Sequence, residues 1–363
     1  MVSNIEPASL ELRKVSTAIN QHEVLHDVDL SILPGELFVV LGGAGSGKSS
    51  LLRSIAGLDP LGSGEVWIDD RNISRTAAGK RQIAMLLQSF PLWPNLNVGD
   101  NVAFALRGRG LKRGEVHERV ASELRFVGLH DFARHMPAQL SPSQRQRIAL
   151  ARTLAADGRL CLLDEPFSAQ DAQLRERLLS VLHRRQQQVG FTALLTTQDR
   201  HEALRVADRI AVLHNGELQQ VGTPIELYDM PLTRHVAEYM GSANLIDGEI
   251  ELAGEQAMFR GENGTVIPLF DQAAKRSRTG TAMFRPHDLR VVGSDEEPFG
   301  DQIRFNGRVE QIEFLGDTQR YCIDLSGHIV WLDVQRQSTR PTLNIGDQVI
   351  LGIDPAHIRI LER

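Results

Sequence analysis

The chain has few of the features that mark secreted or membrane-spanning proteins. Among its 363 residues there are only two cysteines, Cys161 and Cys322, in separate apolar and strand-like segments, which predicts two reduced thiols. No apolar run approaches the ~20 residues that a membrane-spanning helix needs. The first residues, MVSNIEPASLELRK, lack the apolar core of a signal peptide. We therefore expect a cytosolic protein that meets a membrane only through a partner.

Charge and length bound the class of protein. A formal net charge of −6 argues against a protein that binds nucleic acid through bulk positive charge. At 363 residues the chain is long enough for two domains. Up to about residue 240, strand-like apolar runs alternate with helical patterns, which predicts a parallel α/β sheet. Residues 101–156 read mainly as helix, which predicts a helical insertion.

Beyond about residue 243 the pattern changes to short strands that are separated by turn residues. The predicted strands are residues 245–252, 280–284, 305–314, 319–325, 329–334 and 348–353. We therefore predict a second, smaller domain that is antiparallel and resembles a β-barrel.

One segment fits the pattern G-x-x-x-x-G-K-[ST], and its flanks fit the required context of a strand before it and a helix after it. The strand is predicted over residues 37–41 and the helix over residues 49–56, with Gly57 at its end. In such a P-loop, backbone N–H groups and the helix N-terminus face phosphate oxygens. A glycine-rich turn without a ligand is the alternative, and the context argues against it. The predicted nucleoside triphosphate site comprises Gly42, Gly43, Ala44, Gly45, Ser46, Gly47, Lys48, Ser49 and Ser50.

A second motif places two carboxylates after four apolar residues, LCLLDE at 160–165. This pattern predicts a central strand that delivers Asp164 and Glu165 to the carboxyl edge of the sheet, where open α/β sheets bind ligands. Asp164 is suited to hold Mg2+ together with the Ser49 hydroxyl, and Glu165 to orient the attacking water. A helix entry capped by acids is the alternative. Gln88 follows another predicted strand, residues 83–87.

In their order along the chain, these motifs resemble those of the ATP-binding subunits of ABC transporters. The order is the P-loop, Gln88, LSPSQRQR at 140–147, LDEP at 163–166 and SAQD at 168–171. The likeness is strongest to importer ATPases of the maltose, polyamine, iron and phosphonate type, which carry a C-terminal TOBE domain. The motifs GTPIELY at 222–228 and FRPHD at 284–288 extend it over nearly the whole chain.

The resemblance implies an ABC-type α/β P-loop NTPase domain over residues 1–240, with a helical subdomain at about 95–157. An all-β, OB-like TOBE domain would follow over residues 241–363. The resemblance also implies a dimer that encloses two ATP molecules. Each ATP would lie between the P-loop of one chain and the signature segment (residues 140–147) of the other, with Ser141 and Gln144 near the phosphates.

The same resemblance assigns roles to the site residues. Lys48 and the loop amides would hold the phosphates, while Ser49, Gln88 and Asp164 would bind Mg2+. The catalytic residues would be Glu165, which aligns water, and Gln198, which contacts the γ-phosphate. Gln88 would also link the nucleotide state to integral-membrane permease subunits. Trp93 would lie near their docking groove, either as an exposed anchor or as a buried residue.

Several residues depart from the family pattern. The usual Leu-Ser-Gly-Gly-Gln has Pro142 and Ser143 in place of its glycines. The segment still predicts a helix start, with Ser141 as N-cap, Pro142 at the first position and Gln144 closing a capping box. An amide is lost at 142, and a hydrogen bond to a charged group is worth about 1.5–3 kcal/mol, so closure of the dimer would slow by roughly ten- to a hundredfold.

The other departures lie around the nucleotide. Gln198 replaces a histidine, and its amide donates a hydrogen bond but carries no charge. Ile19 stands where the family usually has an aromatic residue that stacks on adenine, so base affinity should fall. The D-loop (residues 168–171) has Gln170 in place of a usual leucine.

Two functions compete on these grounds. The first is an ATPase that powers an ABC importer, slowly, and the intact Glu165 favours it. The second is a poorly hydrolysing or regulatory ATP-binding subunit that pairs with another ATPase chain. A soluble P-loop kinase or GTPase is a further class, but neither a base-specificity motif nor a phosphoacceptor site is found.

The first function implies particular partners and a place in the cell. The cofactors are ATP and Mg2+, and the second ATPase subunit would be this same chain. A periplasmic or extracellular solute-binding protein would act indirectly, and no nucleic acid is expected. The chain would sit at the cytoplasmic face of the membrane, held by permease subunits. The cargo is narrowed only to a small polar solute or a metal-ion complex.

Overall fold

The structure is a computed structural model, and it describes residues 6–20, 22–108, 110–253, 256–262, 264–269, 279–293, 302–336 and 343–362. The chain forms two compact units, Met1–Pro224 and Ile225–Arg363. The predicted domain limit at residue 240 stays a prediction, and residues 1–5 and 363 of the predicted domains lie outside the described residues. No helix in the described ranges is long and apolar enough to cross a membrane.

The first unit contains the predicted α/β core. Its strands are β1 Leu10–Ile19, β2 His22–Ile32, β3 Leu37–Leu41, β4 Ser63–Ile68, β5 Arg71–Asn72, β6 Ile83–Leu86, β7 Leu160–Asp164, β8 Thr192–Thr197, β9 Arg209–His214 and β10 Glu217–Gly222. Its helices are α1 Lys48–Ala56, α2 Val98–Arg107, α3 Arg113–Phe126, α4 Pro142–Ala155, α5 Ala172–Val189 and α6 Arg200–Val206. The predicted helical stretch at 101–156 is confirmed as α2, α3 and α4.

A six-stranded sheet organises this core in the order β10-β9-β3-β8-β7-β6. The strands from β9 to β6 pair in parallel, whereas β10 pairs antiparallel with β9 through the Asn215-Gly216 turn. The central strands β3, β7 and β8 are buried along their whole length. Because their carboxyl ends share one edge, the residues that follow these strands meet there.

A second, antiparallel sheet in this unit was not predicted. Its order is β2-β1-β4-β5, and its apolar side chains join those of α1 and the central strands in one core. The prediction of a parallel sheet therefore holds for the central strands and is incomplete for the first 72 residues.

The described part of the second unit is built mainly from antiparallel strands, as predicted. Helices α7 Pro224–Asp229 and α8 Arg234–Met240 precede β11 Asn244–Ala253, β12 Gln256–Gly261, β13 Val266–Leu269, β14 Thr279–Phe284, β15 Arg290–Val292, β16 Ile303–Phe314, β17 Thr318–Asp324, β18 Ile329–Gln335, β19 Gln348–Ile353 and β20 Arg359–Glu362. The strands form two five-stranded sheets, β13-β12-β11-β14-β20 and β15-β19-β16-β17-β18. Six of them were predicted, and β12, β13, β15 and β20 were not.

Arg285, in the FRPHD motif, connects the start of this unit to its strands. Its guanidinium is 3% exposed and donates hydrogen bonds to the backbone carbonyls of Tyr228, Ala237, Gly241 and Ser242 at 2.7–3.2 Å. It also lies over the Tyr228 ring, 4.1 Å from the centroid. These carbonyls close α7 and α8, where helices leave acceptors unpaired and attract positive charge.

Both cysteines are free and buried, as the sequence predicts. Burial raises the pKa of the Cys161 thiol to about 12, against the opposing charge of Arg185. Cys161 is therefore a core residue rather than a nucleophile.

Candidate active site

The P-loop follows β3 and leads directly into α1, which begins at Lys48, one residue earlier than predicted, and ends at Gly57 as predicted. Gly45 and Gly47 have φ angles of 76° and 104°, which side-chain-bearing residues rarely adopt. A Cβ at Gly47 would also lie 2.8 Å from Leu25 Cδ2 and 3.0 Å from Val24 O. The φ angles at both positions, and the close neighbours at Gly47, therefore favour glycine in the loop.

Lys48 lies beneath the loop and is 5% exposed. Its Nζ donates hydrogen bonds to Gly42 O and Gly43 O, both at 2.8 Å, and lies 3.7 Å from Glu165 Oε1. Burial lowers the pKa of Lys48, while the nearby carboxylates of Glu165 and Asp164 oppose that shift. A bound phosphate would add further negative charge beside this buried ammonium.

The side chain of Ser46 indicates that the P-loop is built to bind a ligand. Among the residues that the structure describes, its buried hydroxyl has no hydrogen-bond partner. A buried hydroxyl without a partner is costly, and phosphate oxygens are suitable acceptors. The backbone carbonyl of Ser46 accepts from Gly216 N at 3.0 Å, so the β9–β10 hairpin supports the loop from outside.

Asp164 ends β7 and is almost fully buried. Its Oδ1 accepts hydrogen bonds from Ser49 Oγ at 3.0 Å and from Thr196 Oγ1 at 2.8 Å. Burial raises the pKa of Asp164, and these two hydrogen bonds and Lys48 partly reverse the shift. The predicted pair of Ser49 and Asp164 is thus brought together.

This pair fits Mg2+, which prefers oxygen ligands and is usually held by one or two carboxylates plus substrate phosphates. The described residues contain no cluster of three or more His, Cys, Asp or Glu side chains that would hold a metal by themselves. A Mg2+ ion held by this pair would therefore need the nucleotide for part of its coordination shell.

Glu165 lies at the centre of the site, in a strained backbone conformation. Its φ angle is 45°, uncommon for a residue with a side chain. Its Oε1 accepts from Gln198 Nε2 at 2.7 Å, and its Oε2 accepts from Gln88 Nε2 at 3.2 Å. The predicted residues Gln88, Glu165 and Gln198 therefore meet around one carboxylate. Gln88 lies two residues beyond the end of β6, which is one residue shorter than predicted.

Thr196 is a site residue that the sequence interpretation missed. Its hydroxyl donates to Asp164 Oδ1 and accepts from Glu165 N at 3.1 Å, so one side chain orients both acids. Thr196 lies opposite Asp164 in the parallel pairing of β7 with β8. The available signal was a polar residue near the end of a buried strand, two positions before Gln198.

The segment between β8 and α6, which contains Gln198, is held by hydrogen bonds of its own. Thr197 Oγ1 donates to Glu202 Oε2 at 2.6 Å, and Asp199 caps α6 by accepting from His201 N. Burial raises the pKa of Glu202, although the hydrogen bond from Thr197 opposes it. These contacts fix the backbone on both sides of Gln198.

The signature segment has the predicted capping box at the start of α4. Gln144 N donates to Ser141 Oγ at 3.2 Å, Ser141 N donates to Gln144 Oε1 at 2.8 Å, and Pro142 is the first helical residue. Within the described part of the chain, neither side chain bonds to the P-loop. The structure therefore does not join Ser141 and Gln144 to the site formed by their own chain.

A surface groove is lined in part by the segment that follows Gln88 in sequence. It has a volume of about 480 Å³ and is lined by residues that include Pro91, Leu92, Trp93 and Phe104. Trp93 is 48% exposed, and its ring centroid lies 5.3 Å from that of Phe104, also half exposed. Trp93 is therefore exposed rather than buried, and its role as an anchor stays a prediction. Ile19, at the predicted base position, is likewise half exposed.

Comparison with known proteins matches both units. The family described as ABC transporter matches residues 25–168, and the TOBE domain family matches residues 282–361. The spermidine/putrescine import ATP-binding protein PotA 2 of Pseudomonas aeruginosa is 37% identical over 322 residues, 88% of each chain. The Fe(3+) ions import ATP-binding protein FbpC of Agrobacterium fabrum is 34% identical over 359 residues, 96% of this chain and 99% of that one.

A solved structure is similar as well. The dimeric, post-hydrolysis ATP-binding cassette MJ0796, bound to ADP and Pi, superposes with a TM-score of 0.55 and 30% sequence identity. The match covers 59% of this chain and 98% of that chain.

Proposed function

The chain belongs to the ATP-binding subunits of ABC importers, and from this premise we propose that two copies hydrolyse Mg2+-ATP in sites that both chains complete. As an importer ATPase with a C-terminal TOBE domain, it couples ATP hydrolysis to transport. The alternative, a poorly hydrolysing regulatory subunit, is not favoured by these relatives.

One observation carries the residue assignments: the carboxylate of Glu165 is held between Gln198 and Gln88, beside the Ser49–Asp164 pair. In the proposed site, Lys48 and the P-loop amides hold the phosphates, and Ser49, Asp164 and Gln88 hold Mg2+. When bound, Mg2+ neutralises charge on the phosphate oxygens.

Glu165 is positioned to accept a hydrogen bond from the attacking water. The water oxygen bonds to the γ-phosphorus as the bond from that phosphorus to the β-phosphate oxygen breaks, and one water proton passes to the Glu165 carboxylate, giving ADP and inorganic phosphate. During this displacement the Gln198 amide donates to a γ-phosphate oxygen instead of to Glu165, which stabilises the developing charge while the amide itself stays neutral. Most of the catalytic effect comes from holding the reacting groups in position, and the hydrogen bonds of Thr196 to Asp164 and Glu165 supply that positioning.

The signature segment completes the site of the second chain. Helix α4 has 14 residues, and its capping box orients its N-terminus, an end that favours anions. Because Ser141 and Gln144 do not bond to their own P-loop, we assign them to the γ-phosphate bound by the other copy. The dimeric state of the similar cassette MJ0796 supports this arrangement.

The groove at Trp93 and Phe104 is the proposed docking place for the permease subunits. Two half-exposed aromatic rings, one of them five residues after Gln88 in sequence, suit an apolar anchor from a partner helix. Docking there holds the chain at the cytoplasmic face of the membrane, and an external solute-binding protein acts only through the permease.

The cargo is proposed only by class. One relative is named for spermidine and putrescine import and another for Fe(3+) import, at 37% and 34% identity. Two different cargoes at nearly equal identity support a small polar solute or metal-ion complex and nothing narrower.

The deciding experiment compares Mg2+-ATP hydrolysis by the wild type and Glu165→Gln across protein concentrations. We expect a rate per chain that rises with dimer formation, and a loss of about 10²–10⁴-fold in kcat in the variant. ATP affinity should stay nearly unchanged, because Lys48 and the loop amides remain. Glu176→Gln, which removes an exposed carboxylate paired with Arg205, is the matched control. ATP binding without turnover at any concentration, or full activity in Glu165→Gln, would contradict the proposal.

A further inference from the structure

Gln170, a D-loop residue outside the assigned site, occupies an unusual position. It is 4% exposed, and its amide lies between the N-terminal turn of α4 and the backbone that follows Glu165. A buried amide of this kind is stable only when its donors and acceptor are satisfied.

The amide is satisfied largely by the signature segment. Ser143 Oγ donates to Gln170 Oε1 at 2.6 Å, and Gln170 Nε2 donates to Ser143 O at 3.1 Å and to Gln146 Oε1 at 2.5 Å. Ser143 and Gln170, two of the departures from the family pattern, therefore bond directly to each other. Their side chains join α4 to the D-loop across 27 residues of sequence.

The network continues to the catalytic turn. Gln146, fully buried, donates through Nε2 to the backbone carbonyl of Glu165 at 3.2 Å and accepts from Ala169 N at 3.1 Å. The strained backbone of Glu165 is thus held on its carbonyl side by Gln146 and on its amide side by Thr196.

A second branch leads from Gln170 toward the switch residue. The backbone carbonyl of Gln170 accepts from Arg175 Nη2 at 3.0 Å. The same guanidinium lies 3.4 Å from Asp199 and 3.5 Å from Glu202, the two acids that hold the loop around Gln198.

We propose that Gln170, paired with Ser143, is a positioning residue that fixes the signature segment and the Glu165 turn as one unit. This inference deepens the proposed ATPase function. Through the pair, the segment that a chain presents to the other copy's ATP moves together with the carboxylate that acts on its own ATP. The side chain of Gln170 bonds to Ser143 and Gln146, so it acts on the site through these residues and the backbone.

Kinetics of three variants test the pair. Gln170→Leu removes the acceptor of the Ser143 hydroxyl and a donor to Gln146, so kcat should fall by about ten- to a hundredfold, the equivalent of one or two hydrogen bonds. KM for ATP should change less than about threefold, because P-loop contacts are untouched. The double variant Ser143→Gly, Gln170→Leu should lose no more kcat than Gln170→Leu alone, because the two side chains form one contact. Ser143→Gly alone should be slow.

Gln186→Leu is the matched control. This glutamine is also buried and donates to backbone carbonyls, of Gly35 and Phe191, but these residues precede β3 and β8 and so lie at the strand ends away from the P-loop. Its substitution should lower the melting temperature and leave kcat of the folded protein unchanged. Equal kcat losses in the control, or additive losses in the double variant, would overturn the positioning role.

Backbone hydrogen exchange provides a readout that does not depend on turnover. In Gln170→Leu, amides of residues 140–147 and 165–171 should both exchange faster, whereas Gln186→Leu should affect neither segment. Faster exchange confined to the D-loop would overturn the proposal even if the chain proved inactive. If the wild type proves inactive but both segments exchange faster in Gln170→Leu, the proposed ATPase function is contradicted and the coupling between the two segments stands.

Discussion

Substitution of Arg285 offers the sharpest test of how the second unit is held together. The buried guanidinium satisfies four backbone carbonyls at the ends of α7 and α8 and stacks on Tyr228. Arg285→Ala removes the guanidinium donors from these acceptors and also removes the ring contact. Arg285→Lys keeps the charge but lacks the planar fork that reaches several carbonyls at once.

The size of the effect follows from the donors lost. Nη1 and Nη2 both act as charged donors, and a hydrogen bond to a charged group contributes about 1.5–3 kcal/mol, so Arg285→Ala should cost about 3–6 kcal/mol in free energy of unfolding. Loss of the cation–π contact adds about 0.5–2 kcal/mol. Such a loss is a large share of the about 5–15 kcal/mol that stabilises a typical domain.

Tryptophan fluorescence resolves this unit, because the chain has three tryptophans and only Trp331 lies in it. In a Trp67→Phe, Trp93→Phe background, the urea transition of Trp331 reports on the second unit. With an m value of about 2 kcal/mol/M, Arg285→Ala should lower the midpoint by about 1.5–3 M, and Arg285→Lys by roughly half of that.

Arg260→Ala is the control for removing an arginine from this unit. Arg260 pairs with Glu251 at 3.1 Å, and both side chains are half exposed, so its loss should cost less than about 1 kcal/mol. If the midpoints of Arg285→Ala and Arg260→Ala coincide, the buried guanidinium does not hold the helices as described.

Two further predictions concern the active site. Thr196→Val removes the hydroxyl that orients Asp164 and Glu165 but keeps the shape of the side chain, so kcat should fall by about ten- to a hundredfold. Thr192→Val is the control, because Thr192 lies in the same strand but bonds to Ala8, and it should lower only the melting temperature. Equal losses of kcat in the two variants would contradict the role of Thr196. Burial lowers the pKa of Lys48 when the site is empty, and a bound phosphate raises this pKa. ATP affinity measured by calorimetry should therefore fall as the pH rises, and the fall should begin below the usual lysine pKa of 10.5. Lys48→Arg, which does not titrate there, should show a flat profile, and a flat wild-type profile would refute the mechanism.

The parts of the fold that sequence predicted depend on short-range chemistry. The P-loop and the capping box at Ser141 each need only a few neighbouring residues of the right type. The buried runs that became β3 and β7 were long and apolar enough to read directly.

The parts that sequence missed depend on contacts between distant segments. Strands β1 and β2 pair with three register shifts, which break the alternation that marks a half-buried strand. The short strands β13 and β15, of four and three residues, carry too little periodicity to read. Thr196 became a site residue only because β8 pairs with β7, and Gln170 only because α4 packs on the D-loop.

The support of the P-loop by the β9–β10 hairpin has a consequence for protein engineering. Two-residue surface turns are usual places for inserting tags or reporter domains. Here a Cβ at Gly216 would lie 2.4 Å from Val24 O, and the backbone of this turn bonds to Ser46 and His26. Lengthening the turn would pull on the phosphate-binding loop itself, so a fusion at this turn should lose nucleotide affinity although it lies outside every motif.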